Sequence, residues 1–326
     1  MLTRRAALAA GLAAPLLPAG LSAQGAEWPS RPTTIFVPFV AGGPSDIVAR
    51  SIANRMAQNL SQPVVAENRP GANGEVAARQ VVRAAPDGHT LFVGSIGVFA
   101  INTALRPNLG YDPVRELTAI TLAVTTPNVL VVNAEKVPVR TLAELVTWLK
   151  ANRGRTSYST SGVGSSDHLT MELFKQRTET DSVHVPYQGG AAAATDLIAG
   201  NVQLSFQNLG TVAAHIAGGR LRAICVTSEV RNRILPDVPT ASEAGLRDFV
   251  VTSWQAVMAP ANMAPALLER VHAATVAALK HPETVQRLNA IGFDVVGNSP
   301  SEYRSFQEAE IARWRQVVQT ANIRAE

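Results

Sequence analysis

Two turns carry the residue types best suited to hold a small ligand. Ala41-Gly42-Gly43-Pro44-Ser45-Asp46 and Ser161-Gly162-Val163-Gly164-Ser165-Ser166 each follow a strand-like run and precede a helical pattern. Glycine lets the main chain approach a ligand closely, and the first turn of the next helix points free N–H groups and the positive end of its dipole into the same space. An oxyanion suits that arrangement, and serine hydroxyls in the second turn add donors. Two such turns facing one another across a cleft would bracket a small carboxylate from both sides. Glycines after strands also serve simply to make tight turns, so the pattern leaves both readings open.

Other chemistries find less support. Neither turn ends in Gly-Lys-Ser/Thr and neither has the three-glycine dinucleotide spacing, so no nucleotide cofactor is expected. The six histidines, at positions 89, 168, 184, 215, 272 and 281, are scattered without metal-ligand spacing, and no metal is expected. His168 lies close to Ser165 and Asp167, but residues within one helical turn point in different directions and make no Ser-His-Asp relay unaided. There is no Gly-x-Ser-x-Gly elbow. His168 reads as a helix-start residue donating to a neighbour or to a bound carboxylate. A secreted hydrolase using Ser165 or Ser45 is the rival from another class.

The elements that position these turns follow an α/β order. Ile35 to Val40 reads as a strand, and Val48, Ile52, Met56 and Leu60 mark one face of a helix starting near Ser45. Val64 to Ala66, Val76 to Val82 and Leu91 to Val93 repeat the plan. Thr141 and Glu144 predict a capping box, and Ser165 or Ser166 predicts an N-cap. Strands at 157–159, 183–185, 204–206 and 223–226 alternate with helices around 192–198 and 211–217, a doubly wound unit in its own right. Ser299, Pro300 and Glu302 open a terminal helix with Tyr303, Phe306, Trp314, Val317 and Val318 to bury.

The first 26 of the 326 residues have the three parts of an export signal: Arg4 and Arg5, the apolar run from Ala6 to Leu21, and small residues at Ala23 and Gly25. The paired arginines fit either a Sec or a twin-arginine route, and the periplasm is the expected destination. Removing Arg4 and Arg5 takes the formal charge from +4 to +2, and the remaining basic residues are dispersed, which argues against nucleic acid as a partner. No later apolar run reaches the roughly 20 residues a spanning helix needs. Cys225 is the single cysteine; it excludes an intrachain disulfide and reads as a buried thiol.

The segments Val37-Pro-Phe-Val-Ala-Gly-Gly-Pro-Ser-Asp46, Asn68-Arg-Pro-Gly-Ala-Asn-Gly74 and Pro86-Asp-Gly-His-Thr90 resemble those of the Bug proteins, periplasmic solute receptors of tripartite tricarboxylate transporters. Gly164-Ser-Ser-Asp-His-Leu169, Val185-Pro-Tyr-Gln-Gly189, Gly219-Arg-Leu-Arg-Ala223 and Leu235-Pro-Asp-Val-Pro-Thr240 agree in the same order. The resemblance implies an α/β fold of two doubly wound lobes, joined by two crossing strands and closing over an organic acid without covalent chemistry. Lobe one would be residues 27–124 with 253–326, and lobe two residues 125–252, with the crossings near 121–132 and 249–258. It further implies ligand contact by Val40, Ala41, Gly42, Gly43 and Asp46 in the first turn, Asp46 mainly bracing it. Ser161, Gly164, Ser165 and His168 follow from the second turn. Ser95, Ile96 and Asn102 would line the cleft from the first lobe and Asn208 from the second, with Tyr187 framing the rim. The implied partners are a small carboxylate and membrane permease subunits, with the receptor a monomer; an extracytoplasmic sensor would share these features. Where relatives often carry a polar Ser/Thr-Gly-Thr-His run, this chain has Ser95-Ile-Gly-Val-Phe99, and Phe206-Gln207-Asn208 replaces Phe-Asp-Asn. Those departures suggest a ligand with an apolar or aromatic distal part rather than an amino acid.

Overall fold

The computed structural model describes residues 28–320 and Ile323, so the export signal expected at residues 1–26 lies outside the described residues. β1 (Thr33–Val37) stops before Pro38, which has no N–H for the ladder, and so ends short of the expected Val40. α1 (Pro44–Leu60) begins at a first-turn proline behind Gly43 and buries Val48, Ile52 and Met56. β2 (Val64–Asn68), α2 (Glu75–Val81) and β3 (Thr90–Ser95) follow. A π turn at Gly97–Ile101 and the short α3 (Asn102–Leu105) lead into the long strand β4 (Leu117–Asn133).

The second lobe alternates α4 (Leu142–Ala151), β5 (Ser157–Thr160), α5 (Ser166–Thr178), β6 (Val183–Pro186), α6 (Gly190–Ala199), β7 (Leu204–Asn208), α7 (Leu209–Ala217) and β8 (Leu221–Val226). The chain returns along β9 (Thr252–Pro260) and finishes with α8 (Pro265–Leu279), α9 (Pro282–Asn289), β10 (Asp294–Val295) and α10 (Pro300–Thr320). The capping box of Thr141 and Glu144 forms at the start of α4, and Ser299 with Glu302 makes the same reciprocal pair at α10.

Strands run in the order β2-β1-β3-β9-β4-β7-β5-β6. β1 pairs in parallel with β2 and β3, and β5 with β6 and β7. β4 and β9 are antiparallel over residues 117–127 of β4, whose remaining residues pair antiparallel with β7 and β8. Each lobe is thus a mixed sheet rather than an all-parallel one. A chain that leaves on one strand and returns on its neighbour must reverse direction, and β4 and β9 supply that reversal. Helices cover both faces. One core gathers Phe92, Phe99, Trp254, Tyr303 and Trp314, another Ile35, Ile52, Val93 and Val257. The second lobe buries Leu130, Tyr158, Phe174, Phe206 and Phe249 on one face and Val129, Leu197, Leu209 and Val226 on the other.

α10 ties the end of the chain to the first lobe. Tyr303 meets Trp254 edge-on at 6.0 Å, and the Glu310 carboxylate accepts from the indoles of both Trp254, at 2.9 Å, and Trp314, at 3.2 Å. Indole N–H groups buried with an acceptor in reach add their apolar area to the core without a stranded donor. Among the described residues no helix is long and apolar enough to cross a membrane. Cys225 is buried, and burial pushes its thiol up to about 12.

Candidate functional site

Four helices begin at one cleft between the lobes. Gly43, Pro44 and Ser45 open α1; Ser165, Ser166 and Asp167 open α5; Gly189 and Gly190 open α6; Asn208 is the N-cap of α7. Together with Phe39, Ser95, Ser161, Ser253 and Gln255 these residues line a narrow cavity of about 30 Å³. α1, α6 and α7 have no side-chain cap, so their first-turn N–H groups are not taken up by a capping oxygen. Each helix start carries roughly half a positive charge. None of the lining residues is Lys, Arg or His, so the main-chain dipoles are the cleft's source of positive charge, opposed by the Asp167 carboxyl that also lines it.

The two glycine turns are held by the same device. Asp46, in the first turn of α1, accepts from Gly42 N–H at 3.0 Å, from Arg50 Nε at 3.0 Å and from Asn68 Nδ2 at 2.9 Å. Burial alone would raise its pKa, but hydrogen bonds from Arg50, Gly42 and Asn68 outweigh it and hold the carboxyl below its ordinary value. Asp167, in the first turn of α5, accepts from Ser161 N–H and Oγ–H, both at 2.7 Å, and from Gln207 Nε2 at 3.3 Å. It is fully buried, and burial raises its pKa. Both carboxylates reach back into their own turns, and the start of α5 is capped by Ser165 Oγ, which accepts from His168 N–H at 3.3 Å.

Of the residues expected at the site, Gly43, Ser95, Ser161, Ser165 and Asn208 border this cleft. Asp46 braces its turn, as expected. Ala41 and Gly42 are exposed at the outer edge, and Val40 packs against Gly189, where an added Cβ would lie 3.2 Å from Val40 Cγ2. Tyr187 lies on an adjoining outer cleft of about 250 Å³ shared through Phe39 and Ser161, and its hydroxyl donates to Asp196. Gly164 makes a lobe-to-lobe contact: a Cβ there would stand 3.0 Å from Asn73 Nδ2 and 3.2 Å from Asn102 Oδ1.

Three expectations are corrected. Ile96 is fully buried in the first-lobe core, and Phe99 packs there edge-on against Phe92 at 5.2 Å, so the Ser95–Phe99 run gives the cleft no apolar wall. Asn102 is also fully buried and does not border the cleft: it donates to Asn73 O at 3.1 Å and Tyr111 Oη at 3.2 Å and faces Gly164 across the lobes. His168 faces the rear of its turn: its Nδ1 accepts from Gly164 N–H at 3.2 Å, and its ring stacks on His184 at 4.2 Å. Sequence reasoning missed Asp167 as the partner of Asp46, the α6 start at Gly189 and Gly190, and Ser253 and Gln255. The first two repeat signals already recognised; the last two sit on an apolar strand that shows only their alternate spacing.

The histidine pair gives an acid-sensitive stability. Burial, with the neighbouring imidazole of His184, lowers His168 to about 3, and burial lowers His184 to about 4. Glu172 opposes both shifts and Lys175 adds to both; Tyr158, which donates to Glu172, stacks on His184 at 5.0 Å. Both folded pKa values lie below the unfolded value near 6.5. As pH falls through that value the unfolded chain takes up protons that the folded chain refuses, and stability is lost by up to about 1.4 kcal/mol per pH unit for each ring. The loss levels off below the folded values. Melting temperature should therefore drop between pH 6.5 and 4.5. His168→Asn, which keeps an acceptor for Gly164 N–H but does not titrate, should flatten that slope; an unchanged slope would contradict the assignment.

Among the described residues no group of three His, Cys, Asp or Glu side chains is placed to hold a metal ion. The sequence model described as tripartite tricarboxylate transporter family receptor matches residues 48–323. Protein BugT of Bordetella pertussis is 35% identical over 310 residues, covering 95% of this chain and 93% of that protein. A solved R. palustris protein with adipate is 34% identical with a TM-score of 0.89, over 91% of this chain and 99% of that one. MatC of Rhodopseudomonas palustris with bound malate is 33% identical with a TM-score of 0.85, over 89% and 100%. With the same fold and a match across most of its length, the chain belongs to the Bug group of tripartite tricarboxylate transporter receptors.

Proposed function

We propose that this receptor binds a small organic carboxylate in the cleft between its lobes and delivers it, in the periplasm, to the membrane permease subunits of a tripartite transporter. The observation that carries the reading is the convergence of four helix starts, three without a side-chain cap, on a cleft with no cationic side chain. Main-chain N–H groups held in place before the ligand arrives need no rearrangement to meet an oxyanion. The relatives solved with adipate and malate agree in chemical class. Gly43, Ser45, Ser161, Ser165, Gly190 and Asn208 are the proposed contacts. The lobes proposed to close are residues 27–124 with 253–326 and residues 125–252, with β4 and β9 as the hinge. A monomer exported on residues 1–26 completes the reading. The distal part of the ligand faces Phe39, the one aromatic side chain on the cleft wall, which sets a modest apolar surface for it.

The hydrolase alternative finds no histidine base at Ser45 or Ser165 among the described residues. Ser45 Oγ donates to Gln255 Oε1 at 2.6 Å and Ser165 Oγ donates to Gly162 O at 2.7 Å, while His168 is occupied by Gly164 and His184. A thermal-shift screen of mono- and dicarboxylates, sugars, phosphate and amino acids tests the function. Carboxylates should raise the melting temperature, by the amount set by their saturation of the folded form. A response confined to sugars or phosphate would sink the proposal.

A further inference from the structure

The cleft wall holds a donor with no acceptor. Gln255 is fully buried on β9, its Oε1 accepts from the Ser45 hydroxyl at 2.6 Å, and its Nε2 has no partner among the described residues. In this orientation of the amide its oxygen is taken by Ser45 and its Nε2 is left open. A buried N–H left without an acceptor is destabilising, so a ligand that supplies an oxygen there restores a hydrogen bond on binding. The next cleft-facing residue on the same strand is already served: Ser253 Oγ accepts from Ser166 Oγ at 3.1 Å and donates to Asn208 Oδ1 at 3.3 Å. Gln255 is therefore the strand's open contact.

We propose that Gln255 is a specificity-determining residue, its Nε2–H donating to an oxygen on the ligand other than the carboxylate held at the helix starts. The favoured ligands are then hydroxy-, oxo- or dicarboxylates, and an amino acid is disfavoured because its ammonium would confront a second donor in a dry site. This rests on the carboxylate reading above. Nothing in the side chain tells a hydroxyl from a carbonyl, since both accept. A missing or inverted hydrogen-bond partner at a buried contact discriminates far more strongly than a missing methylene does.

The test is calorimetry on the mature protein with three sets of acids alike except at one carbon: propionate, lactate and alanine; succinate, malate and aspartate; glutarate, 2-hydroxyglutarate and glutamate. Wild type should bind the best hydroxy acid at least ~10-fold more tightly than its amino counterpart. Gln255→Leu should erase that ratio, and Gln255→Glu, which turns the donor into an acceptor, should move it towards the amino acid. Circular dichroism and melting temperature check that each variant is folded, and agreement between the two variants guards against a packing effect in either. An unchanged ratio in both variants, with carboxylate binding retained, would overturn the inference alone. No binding of any carboxylate to wild type would overturn the carboxylate reading as well.

Discussion

Gly43→Asp should abolish ligand binding while leaving the fold as stable as before or slightly more so. Gly43 is the N-cap of α1, in ordinary extended backbone at φ −82°, and an added Cβ there meets nothing nearer than Val40 O at 3.8 Å. Aspartate is among the best N-cap residues, so the helix gains a cap it now lacks. The new carboxylate would satisfy the N–H groups proposed to hold the ligand and place a fixed negative charge in the same cleft. Two like charges ~4 Å apart at an effective dielectric of ~20 repel by about 4 kcal/mol, so affinity should fall by about 100-fold or more even after partial screening. Calorimetry with the best carboxylate from the screen, beside a thermal melt without ligand, reads both halves. Gly43→Ser, a cap without charge, should lose far less. Equal losses in the two variants would show that the glycine matters for its shape and not for the electrostatics of the helix start.

Gly97→Val should uncouple ligand binding from closure. An added Cβ at Gly97 would lie 3.0 Å from Gly164 O, a main-chain atom of the opposite lobe that cannot swing aside, and 3.1 Å from Asn73 Nδ2. Gly97 opens the π turn with no left-handed dihedral to protect, so valine strains the contact between lobes more than the lobe itself. Overpacking of this kind costs about 1–3 kcal/mol, which here is charged to the closed form and weakens affinity by about 10- to 100-fold. Small-angle scattering should show wild type contracting when saturated with ligand, whereas the variant should contract less or not at all. Normal contraction and affinity in the variant would refute the proposed lobe movement at this contact.

The parts of the site that were legible in the sequence are those governed by local rules. Glycines 42 and 164 take φ of +85° and +83°, conformations that a side chain disfavours, and the adjacent Pro44 and Ser165 mark helix starts. The bracing role of Asp46 came instead from the family resemblance, and it draws on Asn68, 22 residues on, as well as on Gly42 and Arg50. What could not be read depended on tertiary apposition. Gln255 meets Ser45 across 210 positions of sequence, on a strand whose other residues are mainly apolar and buried. Ile96 and Phe99 looked like a cleft wall because an apolar run has the same composition whether it faces a ligand or a core; the π turn that carries them into the core leaves no mark in the sequence. Asn102 misled in the opposite way. The resemblance implied ligand contact, but Asn73 and Tyr111 take up its amide in a buried network. The mixed sheets had a similar cause: β4 and β9 carry ordinary strand sequences, and their antiparallel pairing follows from the chain's exit and return rather than from any motif.

Main-chain N–H groups at the converging helix starts are proposed to hold the ligand's carboxylate. A crystal structure of the mature protein with the tightest-binding carboxylate tests it most directly. The carboxylate oxygens should lie within about 3 Å of first-turn N–H groups of α1 and of at least one second-lobe helix, with no lysine or arginine in contact. A carboxylate paired instead with an arginine or lysine, or bound outside the space between the lobes, would contradict the account.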